Sequence, residues 1–225
     1  MDPVRTKRAK TYDRAYFDRW YRGNGIGGAA SVRRAVRYAL SAAELFLERP
    51  VRRALDVGCG EAVWRAPLLA ERPRLEYVGV DASEYSVSRY GRTRGVRLGQ
   101  LGALDTVGLR GRFDLVICAD VLHYLDEEEI ARGIAWIAGR LDGAAYLHAM
   151  TAADGFVGDR AGFRRRGAGD YLRLFAAHGL HRIGPHLYVG ESLLPTLTAL
   201  EAVVAEIGER RAPALLGNDS GGEDE

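Results

Sequence analysis

The sequence predicts an α/β protein built on a doubly wound, mostly parallel sheet with helices on both faces. Three observations carry that expectation. Apolar, strand-like runs alternate with amphipathic, helix-like runs through most of the 225 residues, the order that yields parallel strands joined by crossover helices. One such run, Ala54-Leu-Asp-Val57, enters the glycine-rich turn Gly58-Cys59-Gly60. Another, Tyr77-Val-Gly-Val80, closes on a lone carboxylate, Asp81, 23 residues after Gly58. Glycines let the backbone approach a bound ligand without a Cβ in the way. An acid at that chain distance, at a strand's carboxyl end, accepts hydrogen bonds from ribose hydroxyls. The pair therefore reads as a site for a ribose-containing cofactor.

The elements follow in order. Residues 1–10 are basic and read as frayed. Tyr12, Tyr16 and Trp20 share one face of a helix over Thr11 to Tyr21. Gly23-Asn-Gly-Ile-Gly-Gly28 favours neither helix nor strand and reads as a joint. Val32, Ala35, Val36, Ala39, Leu40, Ala43, Phe46 and Leu47 form a helical stripe that Pro50 stops. The first strand spans Arg53 to Val57. The helix after it is expected from Glu61 to Glu71, with its N-terminal amides toward an anionic ligand group. The second strand is Glu76 to Val80 and a short third lies near Arg97 to Gln100. Phe113 to Cys118 is a continuous apolar run, as in a parallel strand buried on both faces.

Asp126 and Glu129 have capping-box spacing. The run Glu127-Glu128-Glu129 thus reads as a helix start rather than a metal site, and Ile130, Ile134 and Ile137 supply that helix's buried stripe. A fifth strand covers Ala144 to Ala149. A polar stretch with Arg160 and Arg164-Arg165-Arg166 leads to a helix from Gly169 to His178, closed by Gly179. Leu180 to Val189 gives one or two strands broken at Gly184-Pro185. Leu193, Leu197, Leu200, Val204 and Ile207 mark a last helix, and residues 218–225 read as a disordered acidic end. The expected organisation is an arm and joint over 1–28, a ligand-binding domain over 29–212 and a tail over 213–225.

The turn decides between cofactors. A dinucleotide fingerprint places a third small residue where this chain has Val63. Here an acid, Asp56, instead precedes the first glycine by two residues. The order Asp56-x-Gly58-x-Gly60-x-Ala62 resembles the first motif of class I, Rossmann-like S-adenosylmethionine-dependent methyltransferases. Asp81 matches that family's ribose-binding acid. Phe113-Asp-Leu-Val-Ile-Cys-Ala-Asp-Val-Leu-His-Tyr-Leu125 is similar to its fourth strand, followed by the loop that lines its methyl-transfer site. The resemblance spans roughly residues 30–190.

It implies a seven-stranded-type sheet, an N-terminal helical lid and S-adenosylmethionine as cofactor. Asp56, Gly58, Cys59, Gly60, Asp81, Ala82, Leu101, Gly102, Ala119 and Asp120 are the implied cofactor-binding residues. Two positions depart from the family pattern. Ala62 stands for a third glycine, and Val96 to Leu104 lacks an acid for adenine, leaving Gln100 or the backbone at Leu101 and Gly102.

Methyl transfer from a sulfonium needs geometry first, and a base only where the acceptor is protonated. His123 and His148 are the candidate bases, and packing in a turn or in the sheet is the competing reading for each. Tyr16 and Trp20 are candidate substrate-wall residues, since aromatic faces attract a sulfonium. Arg164 and Arg166 read either as a solvated charge run or as a clamp for an anionic acceptor. The five histidines are scattered, so no metal site is expected. No NPPY-type tetrapeptide and no Pro-Cys pair follows the fourth strand, which disfavours adenine, glutamine-amide and cytosine-C5 methylation.

A net charge of +2 carries no strong nucleic-acid footprint. No apolar run approaches the ~20 residues that span a bilayer. Two separated cysteines, Cys59 and Cys118, suit a reducing, cytoplasmic setting. The expected function is methyl transfer to oxygen or nitrogen of a small molecule. The alternatives are a macromolecular acceptor, protein or RNA, and a non-catalytic partner subunit.

Overall fold

The computed structural model describes residues 12–23, 28–155 and 159–197. The expectations for residues 1–11 and 198–225, and for 24–27 of the joint, lie outside the described residues. Two compact units divide the chain, residues 1–191 and 192–225. The second contributes one described helix, α7 (Leu194–Leu197), the start of the helix expected there.

The first unit holds seven strands: β1 (Arg53–Val57), β2 (Glu76–Asp81), β3 (Val96–Leu98), β4 (Phe113–Ala119), β5 (Leu141–His148), β6 (Leu180–Gly184) and β7 (Leu187–Gly190). Their order across the sheet is β3-β2-β1-β4-β5-β7-β6. β1 to β5 run parallel, and β7 is antiparallel to both β5 and β6. The chain order reverses between β1 and β4, and that switch point opens the ligand crevice at the strands' carboxyl ends.

Strand alternation divides the core into two layers. Leu55, Val57, Val78, Val80, Val116 and Cys118 face α5 (Glu127–Ala138) and α6 (Ala168–Ala177), meeting Ile130, Ile134, Ile137, Tyr171 and Phe175. Ala54, Leu115, Ile117 and Ala144 face α2 (Ala29–Leu47) and α3 (Arg65–Glu71), meeting Val36, Ala39, Leu40, Ala43 and Leu68. Trp64 belongs to this second layer, with its ring 4.9 Å from Tyr146. It packs in the core.

Three local expectations are corrected. The helix after the glycine turn starts at Arg65, not Glu61, because Gly60 and Ala62 take positive φ of 52° and 57° and prolong the turn. The aromatic arm is not one regular helix. A single α-turn, α1 (Arg14–Phe17), widens into a π-helical stretch over Asp18–Gly23. A well-formed helix, α4 (Glu84–Arg94), fills the interval after β2 that the periodicity left unassigned. Ser83 caps α4 by accepting from Ser86 N, and only Ser86 and Tyr90 of the helix are buried. Its apolar stripe is therefore too sparse to register as periodicity.

Candidate active site

The glycine turn is tied to the neighbouring strand. Gly58 N and Cys59 N both donate to Val80 O, at 2.7 and 3.2 Å. Gly58 sits at φ 70°, and a Cβ there would fall 2.2 Å from Val121 Cγ2. Only glycine lets the turn pack against the loop after β4. Ala62 N donates to Cys59 O at 2.8 Å. Its left-handed φ costs an alanine roughly 1 kcal/mol, a strain that a glycine at this place would avoid.

Asp81 ends β2 beside this turn. Its Oδ2 accepts from Gly60 N at 2.7 Å and its Oδ1 from Ser83 N at 2.8 Å. A carboxylate has about four lone-pair positions, so each oxygen keeps capacity for a further donor. Burial pushes the Asp81 carboxyl above its ordinary range, opposed by those two amides. The site is thus short of hydrogen-bond donors, which is the deficit that a pair of ribose hydroxyls would fill.

Asp56 lies deeper, 2% exposed. Tyr77 Oη donates to its Oδ2 at 2.7 Å. Burial raises the Asp56 carboxyl to about 7, the Tyr77 hydroxyl lowers it and the charge of Asp81 raises it. Cys59 is also buried, in a cluster with Ala62, Tyr90 and Val96, and burial lifts its thiol.

Together these elements edge a cleft of about 220 Å³. Gly58, Gly60, Asp81, Ala82, Leu101 and Asp120, expected from the sequence, line it, as do Tyr16 and Gln100. Asp56, Cys59, Gly102, Ala119, Trp20, Arg164, Arg166, His123 and His148 stand outside the lining. Asp56 and Cys59 support the turn from within the protein instead. Gly102 packs on α5, where a Cβ would lie 3.0 Å from Glu129 Cα. Arg166 donates to Leu125 O at 2.8 Å, and Arg164 N donates to His123 O at 2.8 Å. Both arginines therefore fasten the loop after β4. The π-helical widening at Asp18 breaks the expected shared face of Tyr16 and Trp20, so Phe17 joins Tyr12 and Tyr16 in the lining.

Val121, Tyr124 and Leu125 belong to the loop after β4, which the resemblance implied would line the methyl-transfer site, and they stand in the wall with Val57, Gly99 and Glu129, which were not anticipated. The capping box accounts for Glu129 locally, since its Oε2 accepts from Asp126 N at 2.8 Å. No sequence signal separates that role from a place in the cleft. The aromatic arm is held over the α4 start. Ser83 Oγ donates to Tyr12 O at 2.6 Å, and the Phe17 and Tyr85 rings stand 5.6 Å apart.

The two candidate bases differ. His123 is 2% exposed. Its Nδ1 accepts from Met150 N at 3.3 Å, and its ring packs 4.2 Å from Tyr124. His148 ends β5, with its side chain 28% exposed and its Nδ1 2.8 Å from Asp120 Oδ1. The hydrogen bond to Asp120 raises the His148 imidazole above its ordinary value, against a lowering by burial. Among the described residues, no group of three metal-ligating side chains is assembled, and no helix is long and apolar enough to cross a membrane.

Comparison with known proteins agrees with this geometry. Residues 55–142 match the family model described as a methyltransferase domain. An uncharacterized protein of Synechococcus sp. is 32% identical over 115 residues, covering 48% of this chain and 27% of that protein's own length. Three solved structures share the fold. DesVI of Streptomyces venezuelae superposes with a TM-score of 0.61 at 16% identity, over 78% of this chain and 97% of that one. The magnesium protoporphyrin IX methyltransferase ChlM from Synechocystis PCC 6803, with bound SAH, gives 0.57 at 22% identity, over 77% and 89%. The sugar N-methyltransferase KedS8 from Streptoalloteichus sp ATCC 53650 gives 0.55 at 23%, over 77% and 91%. The chain has the Rossmann-like fold that these three structures share, and the family match lies within it, over residues 55–142.

Proposed function

From that premise we propose that the protein transfers a methyl group from S-adenosylmethionine to oxygen or nitrogen of a small-molecule acceptor. The observation that carries the cofactor assignment is the convergence of the Gly58–Gly60 turn and the donor-short Asp81 carboxylate on one cleft. Asp81 would take the ribose hydroxyls. Gln100 and Leu101 line the part of the cleft that follows β3 and would meet adenine, while Gly58 and Gly60 would lie along the amino-acid end. The cofactor supplies an already activated methyl group, so the protein's share is positioning and proton removal.

Tyr12, Tyr16, Tyr124 and Asp120 line the same cleft, and the acceptor would enter among them. An aromatic wall around one carboxylate in a cleft of this size suits a compact polar molecule better than a polymer. The arm carrying Tyr12, Tyr16 and Phe17 would act as a lid over it. Two buried free cysteines, Cys59 and Cys118, suit a cytoplasmic setting. The neighbours named for magnesium protoporphyrin IX and for a sugar nitrogen are consistent with small acceptors of either kind.

Calorimetric titration with S-adenosylhomocysteine tests the cofactor assignment and should give saturable binding. Labelled methyl transfer into a cell extract, separated by size, tests the acceptor. Label in the low-mass fraction is expected. Label only in protein or RNA would replace this reading with a macromolecular one. Tight cofactor binding with no label anywhere would mark a non-catalytic subunit.

A further inference from the structure

We propose that Asp120 and His148, backed by His186, form the proton-accepting unit of this methyl transfer, a role that rests on the function proposed above. Three strand ends meet here. Asp120 leaves β4 at φ 62°, and His186 enters β7 at φ 60°. Left-handed backbone at a non-glycine residue is uncommon and tends to persist where surrounding structure imposes it. Here both residues flank the same ring. Asp120 Oδ1 is 2.8 Å from His148 Nδ1, and the His186 ring lies 4.7 Å from the His148 ring at 68°. The backbone fixes the arrangement further, with Asp120 N donating to His148 O at 3.1 Å and Leu147 N donating to His186 O at 2.8 Å.

The tautomers separate this histidine from His123. The Nδ1 of His123 accepts from the Met150 amide, so the neutral ring carries its proton on Nε2. It can take a second proton only by breaking that bond. His148 is arranged the other way. Its Nδ1–H donates to Asp120, which leaves the Nε2 lone pair to receive a proton on a ring 28% exposed. Asp120 itself lines the cofactor cleft, and His148 stands directly behind it, just outside the lining.

In the step, a lone pair of the acceptor's N–H or O–H group forms the new bond to the methyl carbon. The S–CH3 bond breaks and its electron pair stays on sulfur. The acceptor's proton passes to His148 Nε2, and the resulting imidazolium is held by Asp120. The charged groups facing the ring are Asp120 from β4, His186 from β7 and Asp154 from the loop after β5, with Arg182 of β6 acting on His186. His186 stays neutral more readily than an ordinary imidazole, through burial and the neighbouring His148. It is a positioning residue.

The test begins on the cofactor-free protein, where nitrogen NMR follows His148 without any acceptor. The neutral ring should carry its proton on Nδ1 and titrate above an ordinary imidazole, and Asp120→Asn should lower that midpoint. Labelled transfer from S-adenosylmethionine into the low-mass fraction of a cell extract follows. His148→Gln should slow it about 100-fold or more with unchanged S-adenosylhomocysteine affinity. Asp120→Asn should move the acidic limb of the rate profile to lower pH. A His148 that titrates normally and ignores Asp120→Asn overturns the proposal. So does a His148→Gln protein with the parent's rate, and both results leave the methyltransferase reading standing. A parent protein that binds S-adenosylhomocysteine but moves no label overturns the dyad's role and the acceptor reading, not the cofactor site. Absence of that binding overturns them all.

Discussion

Three buried aspartates, one at the amino end of the sheet and two at its carboxyl end, make an informative contrast. Asp114, at the amino end of β4, accepts from Arg49 through both carboxylate oxygens, at 2.8 and 2.9 Å. It also accepts from the amides of Arg52 and Arg53, at 2.7 and 3.2 Å. Its carboxyl is held below the ordinary range, the Arg49 guanidinium and those amides outweighing burial. At the carboxyl end, Asp56 has Tyr77 and Asp81 has two backbone amides, and burial drives both carboxyls upward. The lower carboxylate is saturated by the fold and completes it. Of the upper two, Asp81 lines the cleft and is left short of donors, as expected where a ligand supplies the rest, while Asp56 supports the turn from within.

The contrast is broken most forcefully at Asp114. Asp114→Asn strips a buried charge from Arg49 and should destabilise the protein by about 3 kcal/mol in urea unfolding, with S-adenosylhomocysteine affinity retained. Asp81→Asn should do the reverse. Unfolding free energy should stay within about 1 kcal/mol, while affinity falls roughly 10- to 100-fold through lost charged hydrogen bonds.

The third prediction concerns pH. The Asp56 carboxyl is raised to about 7 in the fold against about 3.9 in an unfolded chain. Between those values the folded state binds the extra proton, so the contribution of Asp56 to stability is present at the acidic end and is lost as pH rises toward 7. Asp114 has the opposite sign, since its lowered carboxyl stabilises above the unfolded value and ceases to as pH falls through the folded one. Unfolding of the cofactor-free protein measured from pH 4 to 8 should show the first slope, and Asp56→Asn should flatten it. The smallest effect belongs to Ala62→Gly, which relieves the φ of 57°. It should change stability by no more than about 1 kcal/mol, the strain relieved being partly offset by glycine's greater freedom when unfolded.

How legible each region was follows from how local its signal is. β1, β2 and β4 could be read because a parallel strand buried on both faces is a continuous apolar run. The turn could be read because its residues are consecutive. α4 escaped because its buried face is only Ser86 and Tyr90. The loop after β4 was legible through the resemblance, but which of its side chains enter the cleft, Val121 and Tyr124 among them, depends on how it folds back over Gly58. His148 was named as a candidate, but its partners were not. Asp120 reaches it through the β4–β5 register that sets Ala119 beside His148, and His186 through an antiparallel strand 38 residues later. Sheet register of that kind is tertiary, and no local pattern encodes it.

The central claim is that the donor-short carboxyl end of the sheet is a cofactor site and the saturated amino end is scaffold. Titrating S-adenosylhomocysteine into the parent, Asp81→Asn and Asp114→Asn proteins by calorimetry tests it most directly. The expected result is saturable binding to the parent, binding weakened 10-fold or more in Asp81→Asn, and parent-like affinity in folded Asp114→Asn. No binding to the parent, or equal affinity in parent and Asp81→Asn, would contradict it.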